Sequence, residues 1–210
     1  MPYKVHLLDA LTPVEWSQAT WRVEGVGVPI EDCPFERVHA LMLAHLPRGG
    51  LVLDAGCGSA KWPIYLRSLG YRVVGVDVSR DACALARSAD PDLGVAVADV
   101  RRLPVKRHSV DAVLSLGVVE HDERGPDHAL AEVRRVLRPG GLFALTDPSV
   151  DDLPGWPRPL WTIARRNMDD MPALDERDRL LDSAGLRVLE TRPTLHGRWI
   201  TLTLAERPAA

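Results

Sequence analysis

Leu51-Val52-Leu53-Asp54-Ala55-Gly56-Cys57-Gly58-Ser59 is the stretch on which the fold turns. An apolar strand ends in an acid, breaks into two glycines one residue apart, and gives way to a helical pattern. Lacking a Cβ, glycine lets backbone come close to a ligand. In an open α/β sheet such a turn lies beyond the carboxyl end of a strand, where ligands bind. Asp54 places a negative charge where a dinucleotide's pyrophosphate would need room, so the turn favours a ligand carrying positive charge. A G-x-G-x-x-G fingerprint would also require glycine at position 61, and Lys61 stands there.

Outward from this turn the chain alternates. Strands are expected at 51–54, 72–77, 93–98, 110–116 and 142–146. Helices are expected at 60–69, capped by Ser59 with Pro63 in the first turn, then after Ser79, and at 127–137. The run Arg138-Pro139-Gly140-Gly141 reads as a helix stop. Upstream, Phe35, Val38, Leu41, Met42 and Leu46 follow a helical period, and a short helix is expected near 13–20. Downstream come a helix at 174–184, stopped by Gly185, and strands at 186–191 and 199–205. Strands alternating with helices predict a doubly wound, Rossmann-like α/β sheet. The span from Pro193 to Arg198 is too short for a parallel crossover, so the last two strands must form an antiparallel hairpin. The result is a seven-stranded mixed sheet. The organisation expected is an N-terminal arm or lid over 1–33 and a single domain over 34–210. Within that domain the proline-rich 148–173 forms a short cover.

Composition narrows the partners. The chain has 210 residues, 46% of them hydrophobic and 26% charged, ordinary for a globular protein with its own core. A net charge of −3 argues against a sequence-independent nucleic-acid binder, so no DNA partner is expected. Cys33, Cys57 and Cys83 form neither a C-x-x-C pair nor a disulfide framework, which suits a cytoplasmic protein. No apolar run approaches the roughly 20 residues of a membrane span, and the N-terminus has no signal-peptide core, so no membrane partner is expected.

Five motifs then stand in order: Val52-Leu53-Asp54-Ala55-Gly56-Cys57-Gly58, Val76-Asp77-Val78-Ser79, Ala98-Asp99-Val100, Val113-Leu114-Ser115-Leu116 with Glu120-His121, and Val136-Leu137-Arg138-Pro139-Gly140-Gly141. Together they resemble the class I S-adenosylmethionine-dependent methyltransferases, most closely their small-molecule branch, over residues 34–147. The resemblance implies S-adenosyl-L-methionine as cofactor and S-adenosyl-L-homocysteine as product. It implies that carbonyls around Gly56, Cys57 and Gly58 meet the methionine moiety, with Asp54 favouring its amine and sulfonium. Asp77, 21 positions after Gly56, is placed to hold the ribose diol, a task that dinucleotide sites share. Asp99 would accept from the adenine amino group, Val100 would offer backbone, Val78 would pack on the ring, and the Leu116 carbonyl would face the methionine end. Cys57 has no accompanying base and reads as a small filler.

Glu120 and His121 fall on the rim where an acceptor would sit. A histidine titrating near 6.5 can take a proton at neutral pH, so His121 is the candidate base; lining the site or bracing it are its other readings. Methyl transfer is an in-line displacement, for which alignment alone can suffice. Trp16 and Trp21 are candidate lid or acceptor-lining residues, with packing of the arm as the alternative. No H-x-x-x-H or H-E-x-x-H pattern occurs, and no metal is expected. Where amino-methylating nucleic-acid enzymes carry an Asn/Asp-Pro-Pro-aromatic turn, this chain has Gly117-Val118-Val119-Glu120. The expected activity is methylation of O, N or C on a small-molecule acceptor, with a homodimer as one way to close the site. The alternatives are a protein or RNA methyltransferase and a non-catalytic S-adenosylmethionine-binding subunit.

Overall fold

The computed structural model describes residues 36–119, 126–148, 174–193 and 200–209. Within them the chain runs α1 (Glu36–His45), β1 (Leu51–Ala55), α2 (Lys61–Ser68), β2 (Arg72–Asp77), α3 (Arg80–Ala89), β3 (Gly94–Val97), a short 3₁₀ turn (Val100–Arg102) and β4 (Val110–Leu116). It continues through α4 (Asp127–Val136), β5 (Leu137–Pro148), α5 (Leu174–Ser183), β6 (Arg187–Pro193) and β7 (Ile200–Glu206). The seven strands make one sheet in the order β3-β2-β1-β4-β5-β7-β6. β1 to β5 pair in parallel, and β7 pairs antiparallel with both β5 and β6. The mixed sheet and the closing hairpin are those expected from the sequence.

Successive strand residues point to opposite faces, and both faces are covered. Leu53, Ala55, Val76, Val113 and Phe143 pack against Leu130, Val133 and Val136 of α4 and Leu181 of α5. On the other face Val52, Val73, Leu114, Ala144 and Leu204 meet Met42 of α1, Leu46 just beyond it, and Leu66 of α2. Burial on two faces is why the central strands read as continuous apolar runs rather than as alternation.

Three local expectations are corrected. Ser59 does not cap α2: Ala60 holds the cap position at φ 65° and ψ 34°, with no side-chain cap bond. The Ala60 amide donates to the Cys57 carbonyl at 2.8 Å, which tightens the turn and moves helix entry one residue on. β3 is shorter than 93–98 and largely exposed at the sheet edge, because Leu93 turns inward to pack with Ala60 and Ala86. β5 starts at Leu137 rather than at 142. The Gly140 amide donates to the Arg207 carbonyl at 2.7 Å and the Arg207 amide to that of Gly141 at 2.9 Å, so the helix-stop sequence is itself strand. The expected Ser79 cap is present, its Oγ accepting from the Ala82 amide at 3.2 Å. The arm at 1–33 with its 13–20 helix, and the cover at 148–173 beyond Pro148, lie outside the described residues.

Candidate cofactor and acceptor site

β1 and β2 end side by side, and the glycine turn closes over them. The Gly56 and Cys57 amides both donate to the Val76 carbonyl, at 2.7 and 2.9 Å, hanging the turn on β2. Gly56 (φ 94°), Gly58 (φ 53°) and Ala60 (φ 65°) alternate through the left-handed region. That region suits glycine and costs an alanine roughly 1–2 kcal/mol. A Cβ on Gly56 would stand 2.3 Å from Val118 Cγ2, so this glycine is also where the loop after β4 packs onto the turn. Cys57 fills space as expected: its Sγ lies 2.7 Å from where a Cβ on Gly75 would be. Burial, with Asp54 and Asp77 nearby, pushes its thiol pKa well up.

Beneath the turn lie the two acids. Leu53 and Val76 point to the α4 face, so Asp54 and Asp77 point to the other, where Cys57 covers Gly75. Asp54 is 2% exposed and Asp77 6%. Asp77 braces two turns at once, its Oδ2 accepting from the Gly58 amide at 2.8 Å and its Oδ1 from the Ser79 amide at 2.8 Å. Burial raises its pKa and those two bonds oppose the rise. Burial first, and then the Asp77 charge, push the Asp54 carboxyl up to about 8.

Asp99 follows β3 and caps the 3₁₀ turn, its Oδ1 accepting from the Arg101 amide at 2.8 Å. The Arg101 guanidinium pairs with the same carboxylate at 2.6 Å and holds it below the usual carboxylate range. Any adenine contact must therefore share this acid with Arg101. Val78, Val100 and Leu116 are half-buried; Leu116 ends β4 opposite Thr146. The structure thus gathers Asp54, Gly56, Cys57, Gly58 and Asp77 into one group, with the other four at neighbouring strand ends. Trp16, Trp21, Glu120 and His121 lie outside the described residues.

Three residues on this rim escaped the sequence reading. Val118 fills the gap at Gly56. Ser115 Oγ is buried without a hydrogen bond among the described residues. Arg177, in the first turn of α5, is 4% exposed. Its Nη1 donates to Thr201 Oγ1 at 2.9 Å and its Nη2 to Thr191 Oγ1 at 3.2 Å, with Asp178 at 3.1 Å. Thr201 pairs with Asp147 near the carboxyl end of β5, which sets this cation at the same end of the sheet as the glycine turn. An arginine in so charged a helix reads as surface; only the hairpin packed over it makes it interior.

Residues 53–145 match the family model of a methyltransferase domain. The chain is also 32% identical over 158 residues to a probable S-adenosylmethionine-dependent methyltransferase of Mycolicibacterium smegmatis, covering 74% of this chain and 59% of that one. These matches support a class I S-adenosylmethionine-dependent methyltransferase. A second relative in this family, a malonyl-[acyl-carrier protein] O-methyltransferase of Pectobacterium atrosepticum, is 37% identical over 121 residues, 56% of this chain and 47% of that one. The chain therefore spans about half to three-fifths of the length of these curated relatives. In fold it is similar to an S-adenosylmethionine-dependent methyltransferase of Methanosarcina mazei, with TM-score 0.69, 20% identity, and coverage of 81% of this chain and 98% of that one. The family's cofactor fits what the site offers. The two buried acids favour a cationic ligand, and S-adenosylmethionine carries both an ammonium and a sulfonium. Among the described residues no group of three metal-ligating side chains occurs, and no helix is long and apolar enough to cross a membrane.

Proposed function

We propose that this chain transfers a methyl group from S-adenosylmethionine to O, N or C of a small-molecule acceptor in the cytoplasm. The observation that carries the reading is the buried Asp54–Asp77 pair beneath the glycine turn, at the carboxyl ends of β1 and β2. S-adenosylmethionine supplies a methyl already activated on sulfur, so the chain's own task is to bind, align and exclude water. Asp54 faces the ammonium. Each Asp77 oxygen has a second lone pair beyond its amide bond, enough to accept from the ribose diol. Carbonyls around Gly56, Cys57 and Gly58 meet the methionine end together with that of Leu116. Val78 packs on the adenine, with Val100 backbone and Asp99 at its polar edge.

On the acceptor side, His121 and Glu120 line the rim, with His121 as the candidate base. Trp16, Trp21 and residues 148–173 cover the site, or a second copy of the chain does. A relative named for O-methylation of malonyl-[acyl-carrier protein] makes an oxygen on an acyl group a concrete candidate.

Calorimetric titration with S-adenosylmethionine, S-adenosylhomocysteine and NAD tests the reading. Micromolar binding of the first two alone is expected; binding of NAD instead, or of nothing, overturns it. Asp77→Ala should lower S-adenosylhomocysteine affinity about ten- to a hundred-fold, the worth of a charge-assisted hydrogen bond. Unchanged affinity in the folded variant would remove the ribose assignment. His121→Ala should lose turnover in an acceptor screen while keeping cofactor affinity. Full turnover would reassign His121 to a structural place.

A further inference from the structure

Two carboxyls share one dry corner of this site, and their surroundings are unequal. In the β1–β2 register Asp54 lies opposite Gly75, two residues before Asp77 on the same sheet face. Asp77 receives two backbone amide bonds, donors that stabilise a carboxylate. No such donor reaches Asp54 among the described residues. Like charges so placed in a low-dielectric site do not both ionise, so Asp77 takes the charge and Asp54 keeps the proton. Resting on the cofactor reading above, we infer that ligand binding is proton-coupled: Asp54 is protonated in the free protein and ionises as the ligand's ammonium arrives, selecting for cationic ligands.

Among the described residues, the remaining ionisable groups on the packed elements do not change this balance. Cys57 of the turn and Cys83 of α3 are buried thiols whose pKa values burial raises, so they stay neutral. Lys61 of α2 and Arg80 and Asp81 of α3 stand half-buried or exposed at the helix entries, and His45 of α1 is exposed. Burial and the Asp77 charge are the influences on Asp54, and its carboxyl sits at about 8. The proton balance is simple. The Asp54 O–H bond breaks, its electron pair stays on the carboxylate beside the ammonium, and the proton leaves to solvent.

Affinity for an amine-bearing ligand should fall about tenfold per pH unit as pH drops below about 7, the slope of one coupled proton. Above about 8 the ligand's own α-amine begins to titrate and reverses the trend in the wild type. The test is calorimetry with S-adenosylhomocysteine at pH 6 and 7 in buffers of contrasting ionisation enthalpy. 5′-Methylthioadenosine, which lacks the amino-acid arm, is the control ligand. About one proton released per S-adenosylhomocysteine, and none with 5′-methylthioadenosine, is the expected result. Asp54→Asn should release none and bind with the same affinity at both pH values. S-adenosylhomocysteine binding without proton release, equal release with the control ligand, or undiminished release in Asp54→Asn overturns the coupling and leaves the cofactor reading standing. No S-adenosylhomocysteine binding at any pH sinks the cofactor reading itself. Should Asp54→Asn not fold, the wild-type proton counts with the two ligands decide the matter.

Discussion

At the scale of a residue, Asp54 carries a stability cost beside the binding role proposed for it. Its carboxyl moves from 3.8 to about 8 on folding, through burial and then Asp77. A group raised in this way contributes stability that is complete below its unfolded value, near pH 4, and is lost as pH rises through about 8. The ligand-free protein should therefore weaken between pH 5 and 8, and Asp54→Asn should flatten that slope in urea unfolding. Asp99, Asp111 and Glu132 have lowered pKa values. Their contributions are present above their unfolded values and fade only as pH falls below about 4, outside this window. An equal slope in Asp54→Asn would mean that Asp54 is ionised in the free protein and its charge offset. The position of this acid at a strand end was legible in the sequence; that none of the described residues neutralises it was not.

At the scale of an element, the glycine turn is held from both sides. Val76 fixes its start through two amide bonds, Asp77 fixes Gly58, and Val118 seals Gly56 from the loop after β4. Gly56→Ala meets two penalties, a φ of 94° and the Val118 contact, and should destabilise the fold by about 2 kcal/mol or more. Val118→Ala should cost less than that by itself. In the double variant it should restore part of the loss, leaving the backbone strain of roughly 1–2 kcal/mol. Additive losses in that cycle would show that the two residues do not touch. The need for glycine at 56 followed from the turn motif. That part of the reason is a valine beyond β4, the strand next to β1 in the sheet, could only come from packing.

At the scale of the whole molecule, ligand and fold are linked. A ligand gripped by the ends of β1 and β2 binds the folded state alone, because the unfolded chain holds no such pair of acids and turn. At a hundred times its dissociation constant it adds about 2.7 kcal/mol. In a domain of this size that corresponds to roughly 5–10 °C in melting temperature. S-adenosylhomocysteine should produce such a shift and NAD none. A shift with NAD alone would relocate the ligand chemistry to dinucleotides.

The sequence by itself determined the order of strands and helices, the parallel core and the antiparallel hairpin, and the two acids flanking a glycine turn. These rest on local causes: hydrophobic period, glycine at left-handed positions, and a connection too short to cross over. Tertiary structure alone decided the rest. Arg207 extends β5 backward through bonds to Gly140 and Gly141, overriding a local helix-stop signal. Arg177 becomes interior because the β6–β7 hairpin folds over it. Asp54 becomes a proton holder because Asp77, not Asp54, receives the amides of Gly58 and Ser79. Each of these depends on groups distant in the chain meeting, and at the acid pair they meet in low dielectric, where hydrogen bonds set which group bears the charge.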